Sequence, residues 1–198
     1  MKTKSETSLL DLILDVKILA KLEPEIEATR PSCCAQCGVA VGMPGALKIH
    51  GHGLRERLVL GPTEPDASPE TISVQLRRFR CIACGHVMTV RPAILARYFL
   101  YSTAAIGLAL WLWATVQTTQ STVRGLVSPW PARGPSEADR WRSLRRWAGR
   151  ASDVFGMPEG FYGETARDVA ARVAGLLVGR APPGLPERVL AFIGAQAR

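Results

Sequence analysis

The chain has 198 residues, of which 47% are hydrophobic, and a formal net charge of +8. This hydrophobic share excludes a wholly disordered chain and is enough for one or two packed domains. The positive charge favours a polyanionic partner, either nucleic acid or an anionic membrane surface. Acidic residues interrupt the apolar N-terminal run, which a signal peptide would not tolerate, so we expect a cytoplasmic protein.

Residues 1–30 are predicted to form an N-terminal helical arm. Apolar residues recur at helical spacing over residues 8–22, and Pro24 with its acidic neighbours ends this segment. Such an arm could pack on the module that follows it or form a dimer contact, and packing is the simpler interpretation.

Two cysteine pairs carry the clearest chemical signal. Cys34 and Cys37 form one Cys-x-x-Cys-Gly turn, here called a knuckle, and Cys81 and Cys84 form a second one. Two intervening residues let both thiols of a tight turn face one ion, and the following glycine permits positive φ. We therefore predict a structural site in which four thiolates hold Zn²⁺. The alternative is two buried or redox-active pairs.

The remaining cysteine and the three histidines are not needed for this site. Cys33 is interpreted as a spare thiol, although a register shift could place it in the site instead of Cys34. His50, His52 and His86 are interpreted as polar surface groups or phosphate partners. No His-Glu-x-x-His arrangement occurs, so a catalytic zinc is not expected.

Residues 31–92 are predicted to form a small antiparallel zinc ribbon around this site. Residues 71–80 alternate apolar and polar side chains, as a strand does, and residues 87–90 form a short strand after the second knuckle. The first strand ends in three arginines that could contact DNA phosphates or simply line a solvated edge. These candidate contacts are Arg77, Arg78 and Arg80.

Residues 93–151 are predicted to form a helix-turn-helix-like DNA-binding unit. Ser102 is a suitable N-cap for a helix over residues 103–116, and shorter and longer helices follow over residues 120–127 and 137–151. The last helix has an apolar face and an arginine face, which suits the guanine acceptors of the major groove. An ordinary amphipathic surface helix is the alternative. The candidate DNA contacts here are Arg140, Arg142, Arg145 and Arg146.

A different interpretation applies to residues 98–123, which contain no charged side chain. Their length permits a membrane span, and a membrane-anchored ribbon protein is therefore one alternative. The truly apolar part, residues 104–116, is closer in length to a buried core helix. A membrane partner is accordingly not favoured.

Residues 152–198 are predicted to form a helical tail with helices over residues 164–178 and 186–195. The predicted fold class is thus α+β: a small antiparallel zinc ribbon, a helix-turn-helix-like unit and a helical tail.

Several motifs follow one another over residues 30–151: the two knuckles, His50-Gly51-His52-Gly53 with Arg55 and Arg57, Arg77-Arg78-Phe79-Arg80-Cys81, Arg91-Pro92-Ala93, and Tyr98 with Tyr101-Ser102. Together they resemble the zinc-ribbon plus helix-turn-helix head of bacterial insertion-sequence transposases and related proteins. The resemblance implies DNA binding, which that family directs to transposon ends. The catalytic domain of full transposases is not matched, so we expect DNA binding without catalysis, with a homodimer or a separate recombination partner possible. A zinc-organised protein-interaction module is a further alternative.

Overall fold

The computed structural model describes residues 16–134, 141–157 and 165–197, and these fall into two compact units. The first unit comprises the described residues up to Leu58 together with Ser73–Pro92. The second comprises Val59–Ile72 and the described residues from Ala93 onward. Strands dominate the first unit and helices the second, so the chain is mixed α+β, as its sequence predicts.

Three strands form one antiparallel sheet in the order β1-β2-β3. Strands β2 and β3 pair so that Phe79 lies opposite Met88 and Arg80 lies opposite Val87. The second knuckle is therefore the turn of this hairpin. The strands predicted over residues 71–80 and 87–90 are confirmed. The strand bounds are Ile49–Gly61 for β1, Glu70–Cys81 for β2 and Val87–Thr89 for β3.

The apolar core beside the knuckles is small. Ile49 and Phe79 are fully buried there, and Met88 is nearly so. Two of the knuckle cysteines, Cys34 and Cys81, complete this cluster. Because sulfur atoms supply part of the core, what those sulfurs bind bears directly on the stability of the first unit.

Residues 16–30 of the predicted arm include two short helices, α1 (Val16–Lys21) and α2 (Ile26–Thr29), and they contact the sheet through residues that follow each helix. Arg77 donates hydrogen bonds from Nε and Nη2 to the Pro24 carbonyl, at 2.9 and 2.6 Å. Arg30 donates to the Ile49 carbonyl and lies over the ring of Phe79, 5.7 Å from its centroid. These contacts fasten the arm to the sheet. The first part of the helix predicted over residues 8–22 lies outside the described residues.

The second unit is organised around helix α3 (Thr103–Ala114). Eleven of its twelve residues are buried, and it packs against four of the helices that follow it. The Ser102 hydroxyl accepts a hydrogen bond from the Ala105 amide at 3.1 Å, which confirms the predicted N-cap. The helices predicted over residues 103–116 and 120–127 are confirmed. The helix bounds are Thr103–Ala114 for α3, Gln120–Val127 for α4, Ser143–Ala148 for α5, Ala151–Phe155 for α6, Ala166–Arg180 for α7 and Glu187–Gly194 for α8.

Residues 98–123 do not form one continuous helix. Helix α3 ends at Ala114, Gln117 takes a positive φ of 56°, and α4 begins at Gln120. The twelve residues of α3 span roughly 18 Å, whereas the hydrocarbon core of a bilayer is about 30 Å thick. Within the described ranges, no helix combines the length and the apolar character needed to cross a membrane.

The helix predicted over residues 137–151 is wrong in its C-terminal end. Helix α5 ends at Ala148, and the Gly149 amide donates to two carbonyls of the preceding turn before α6 begins at Ala151. Glycine has low helix propensity, and such shared hydrogen bonds tighten and end a helix. The helix also begins later than predicted, because the described residues Trp141 and Arg142 precede α5, which starts at Ser143. Residues 137–140 lie outside the described residues.

The two predicted tail helices are confirmed as α7 and α8. Thr165 and Asp168 form a capping box at the start of α7, each side chain accepting a hydrogen bond from the other residue's amide. The two helices approach very closely, since a Cβ placed on Gly194 would lie 1.8 Å from the Leu177 carbonyl oxygen. Only glycine fits at that contact.

Candidate metal centre and basic surfaces

The two knuckles have the same backbone geometry. The Gly38 amide donates to the Cys34 carbonyl at 2.9 Å, and the Gly85 amide donates to the Cys81 carbonyl at 2.8 Å. Both glycines have a positive φ, 71° and 74°, as their position in the motif predicts. Each turn therefore presents its two thiols in the same way.

The four knuckle sulfurs lie together in one cluster. All four Sγ atoms are within 4.8 Å of one another. The Sγ atoms of Cys34 and Cys84 are 3.7 Å apart, and those of Cys37 and Cys81 are 3.8 Å apart. A regular tetrahedron with zinc–sulfur bonds of about 2.3 Å has edges of about 3.8 Å. The thiols are thus spaced to hold one tetrahedral metal ion such as zinc.

Hydrogen bonds fix each knuckle to other parts of the first unit. The Ile82 amide, just after the second knuckle begins, donates to the Lys48 carbonyl at 2.9 Å. The Ala35 amide of the first knuckle lies 3.4 Å from Met88 Sδ. One thiol of each pair, Cys34 and Cys81, is buried in the small core, whereas Cys37 and Cys84 face solvent. The cluster is therefore anchored on its inner side and accessible on its outer side.

The hydrogen bonds of the cluster separate the pKa values of its thiols. The Cys37 amide, with help from the Gln36 amide and neighbouring thiols, lowers the pKa of Cys34 to about 6. The His86 amide lowers the pKa of Cys84, but partial desolvation of its sulfur and the three neighbouring thiols outweigh this effect and raise that pKa to about 12. Four thiolates at these distances repel one another, so a bound cation is needed before all four can lose their protons.

Cys33 and the histidines lie outside the cluster. Cys33 is an exposed free thiol that forms an isolated β-bridge with Ala40. His50 uses Nε2 to contact the Leu47 carbonyl at 2.8 Å. In the described part of the chain, the group able to hold a metal consists of the four knuckle cysteines.

The three candidate arginines of β2 have different surroundings. Arg77 holds the arm through Pro24 and lies 3.7 Å from Glu23, and its side chain is only 12% exposed. Arg78 is half-buried, including its Nε. Arg80 is exposed, so it presents its charge to solvent more fully than the other two.

The described arginines of α5 and its N-terminal flank share one surface. Arg142, Arg145 and Arg146 are all exposed. Their spacing of three and four residues places them on one helical face. Leu144 and Trp147 lie on the opposite face and are buried. This set is called the arginine face below, and Arg140, the fourth candidate, lies outside the described residues.

The buried side of α5, opposite the arginine face, belongs to an aromatic cluster. The rings of Tyr101, Trp141 and Trp147 meet edge to face, with centroids 4.9 to 6.1 Å apart. The Tyr101 hydroxyl donates to Ser128 Oγ at 2.9 Å, and burial raises the pKa of Tyr101. Such ring pairs add stability and fixed orientation to a helix that has only six residues.

One feature of the second unit was not predicted from the sequence. A cavity of about 480 Å³ is lined by Tyr98 and Phe99 together with Arg146 and Arg150. The two aromatic residues precede α3 and the two arginines belong to α5 and its C-terminal flank. Because they are distant in sequence, no local motif signals their proximity.

Comparison with protein-family models, curated proteins and solved structures finds no match for this chain. The resemblance to transposase heads therefore stays a prediction drawn from motifs. Function has to be inferred from the chemistry of the residues described above.

Proposed function

We propose that this protein binds duplex DNA and that a structural zinc ion holds its sheet unit in shape. The observation that carries the proposal is the arginine face, three exposed guanidinium groups on one side of a helix whose other side is buried. Guanidinium groups pair with phosphates and, in the major groove, with O6 and N7 of guanine. Side chains held by a packed helix are pre-organised for such contacts.

The charge distribution supports a polyanionic partner. The sequence contains no Asp or Glu from Thr71 to Ser136. This span includes Arg80, which is exposed at the end of β2. An excess of positive charge such as this attracts the negatively charged DNA backbone.

Zinc is the ion that best suits the four-thiol cluster. Thiolates prefer zinc among the common structural metals, and the tetrahedral spacing matches its coordination. With sulfur at all four positions no site remains for a reactive water, so the proposed role is structural and the protein is not proposed to be an enzyme. The first unit would then be a zinc ribbon, as in the transposase heads that the motifs resemble, in a reducing compartment such as the cytoplasm.

Salt-dependent DNA binding tests the proposal. We expect a fluorescently labelled duplex to bind the zinc-loaded protein with an affinity that falls as salt rises. The double variant Arg142→Ala/Arg146→Ala should lower the slope of log K against log salt by about 2, because each lost phosphate contact removes about one unit. Fluorescence anisotropy at several salt concentrations measures both quantities.

The matched control removes the same charge elsewhere. Arg167 and Arg172 are exposed on α7, so Arg167→Ala/Arg172→Ala lowers the net charge equally. We expect this control to retain most of the salt slope. Equal losses in both double variants would mean that only net charge matters. Folded, zinc-loaded protein without affinity for DNA would favour the protein-interaction module instead.

A further inference from the structure

The cavity between Tyr98 and the arginine face has the composition of a nucleotide site. Its volume of about 480 Å³ lies in the range of roughly 300 to 1,000 Å³ that is usual for ligand pockets. Two walls are aromatic rings and two are guanidinium groups. Rings stack on bases and guanidinium groups pair with phosphate, so both parts of a nucleotide have a partner here.

Tyr98 is held in an unfavourable backbone conformation. Its φ is 69°, a region that bulky residues avoid at a cost of about 1 to 2 kcal/mol. The chain on both sides is fixed, because Leu95 forms a bridge with Ser102 and the Leu100 carbonyl accepts from the Leu60 amide at 2.9 Å. Backbone strain of this kind concentrates at ligand clamps, and here it turns a large ring outward.

The Tyr98 ring is accessible and its position is defined. The side chain is 70% exposed, and the Arg97 guanidinium lies 4.7 Å from the ring centroid. Cation–π contact on one side orients the ring. Phe99, the neighbouring wall, meets Trp147 edge to face at 6.5 Å and so belongs to the rigid aromatic cluster.

The two arginines supply the positive charge of the cavity. Arg146 belongs to the arginine face and is exposed. Arg150 donates to Asp153 at 3.0 Å, and both side chains are about half exposed. An exposed pair of this kind is weak, so a phosphate could compete with the carboxylate for Arg150.

We propose that this cavity captures one unpaired nucleotide of bound DNA, with its base stacked on Tyr98 and its phosphate paired with Arg146 and Arg150. The inference rests on the proposed DNA binding and names the DNA feature that the second unit would recognise. An unpaired base is preferred because a base inside a duplex has no free face for the ring and must first be unstacked.

The test compares a fully paired duplex, the same duplex with one unpaired thymine, and a short oligothymidine. The variant Tyr98→Asn removes the ring and keeps a residue that tolerates positive φ. We expect it to weaken binding of the unpaired-thymine duplex and the oligothymidine by about 5- to 150-fold, from one base stack. Binding of the paired duplex should change less than about twofold, since it makes no such stack. Tyr98→Phe, which keeps the ring, should bind like the wild type.

Each outcome separates this inference from the proposed function. If the paired duplex binds and the unpaired thymine adds no affinity, the cavity proposal is overturned and duplex binding stands. If only the oligothymidine binds, through Tyr98, duplex binding is overturned and the cavity proposal stands. If the protein binds none of the three probes, both proposals are contradicted. If Tyr98→Asn lowers the affinity for all three probes equally, stacking of an unpaired base on Tyr98 is contradicted.

Discussion

Replacing one exposed cysteine tests the metal centre without disturbing the core. Cys84 is exposed, so Cys84→Ser removes a sulfur while the buried cluster of Ile49, Phe79 and Met88 keeps its contacts. A serine hydroxyl is a neutral and weaker zinc ligand than a thiolate. The tetrahedron loses the corner that lies 3.7 Å from Cys34 Sγ. Any large effect of this substitution therefore acts through the bound ion.

The expected effect is large because the free energy of zinc binding is as large as the net stability of a whole domain. Structural zinc supplies about 10 to 16 kcal/mol in small zinc peptides, whereas domains are stable by about 5 to 15 kcal/mol in total. With a core as small as that beside the knuckles, the first unit should unfold when zinc is lost. The second unit has its own large core around α3 and should remain folded.

Zinc quantification and amide hydrogen exchange measure these two effects. After dialysis against a chelator we expect about one zinc per wild-type chain and well under half of that for Cys84→Ser. Exchange protection should disappear in residues 16–58 and in Ser73–Pro92. Cys33→Ser is the matched control, because its exposed thiol is outside the cluster and should be dispensable.

Two results would refute the reasoning. Full zinc content and native exchange protection in Cys84→Ser would mean that the four thiols do not share an ion. Loss of zinc in Cys33→Ser would mean that the first knuckle binds in a different register, with Cys33 as a ligand.

The second unit allows two predictions about stability, both measured by thermal unfolding. Gly194→Ala should destabilise by about 1 to 3 kcal/mol or more, because its Cβ would meet the Leu177 carbonyl at 1.8 Å. Gly175 is a helical glycine with open space around it, so Gly175→Ala should instead stabilise the protein by about 0.5 to 1 kcal/mol. If both substitutions destabilise the protein, the difference in packing between the two glycines is contradicted. The side chain and the amide of Thr165 donate hydrogen bonds to Asp168 and hold its pKa below the ordinary aspartate value. The ionised Asp168 therefore stabilises the fold at pH values above the ordinary aspartate pKa, and this contribution is lost as acid protonates the carboxylate. Asp168→Asn should therefore be less stable than the wild type at neutral pH, with the difference shrinking below about pH 4, and a difference that does not depend on pH would exclude the capping carboxylate as its cause.

Local chemistry explains why the metal cluster was predictable from sequence. Each knuckle needs only two cysteines, two residues between them and a glycine, so a stretch of five residues contains all the information. The same holds for α3, where Ser102 marks the start of the helix. A feature that depends only on residues adjacent in sequence can be predicted from the sequence.

Strand β1 is an element that could not be predicted from local sequence. The sequence predicts strands over residues 71–80 and 87–90 only, yet a further strand runs from Ile49 to Gly61. Most of its first ten residues are exposed, and Gly51 and Gly53 lower its intrinsic strand preference. Its conformation depends on hydrogen bonding to β2, and no period-2 apolar pattern announces it.

For function, too, the arginines of β2 show the difference between what the sequence predicts and what the structure determines. Arg77 and Arg80 are identical in type and three residues apart, so sequence alone assigns them the same candidate role. In the structure, Arg77 donates to the Pro24 carbonyl and holds the arm, whereas Arg80 is exposed. A guanidinium already paired with the protein must give up those hydrogen bonds before it can bind a phosphate, and a solvated one need only exchange water. Positive charge therefore identifies the class of partner, but the internal hydrogen bonds of each arginine determine which of them can reach it.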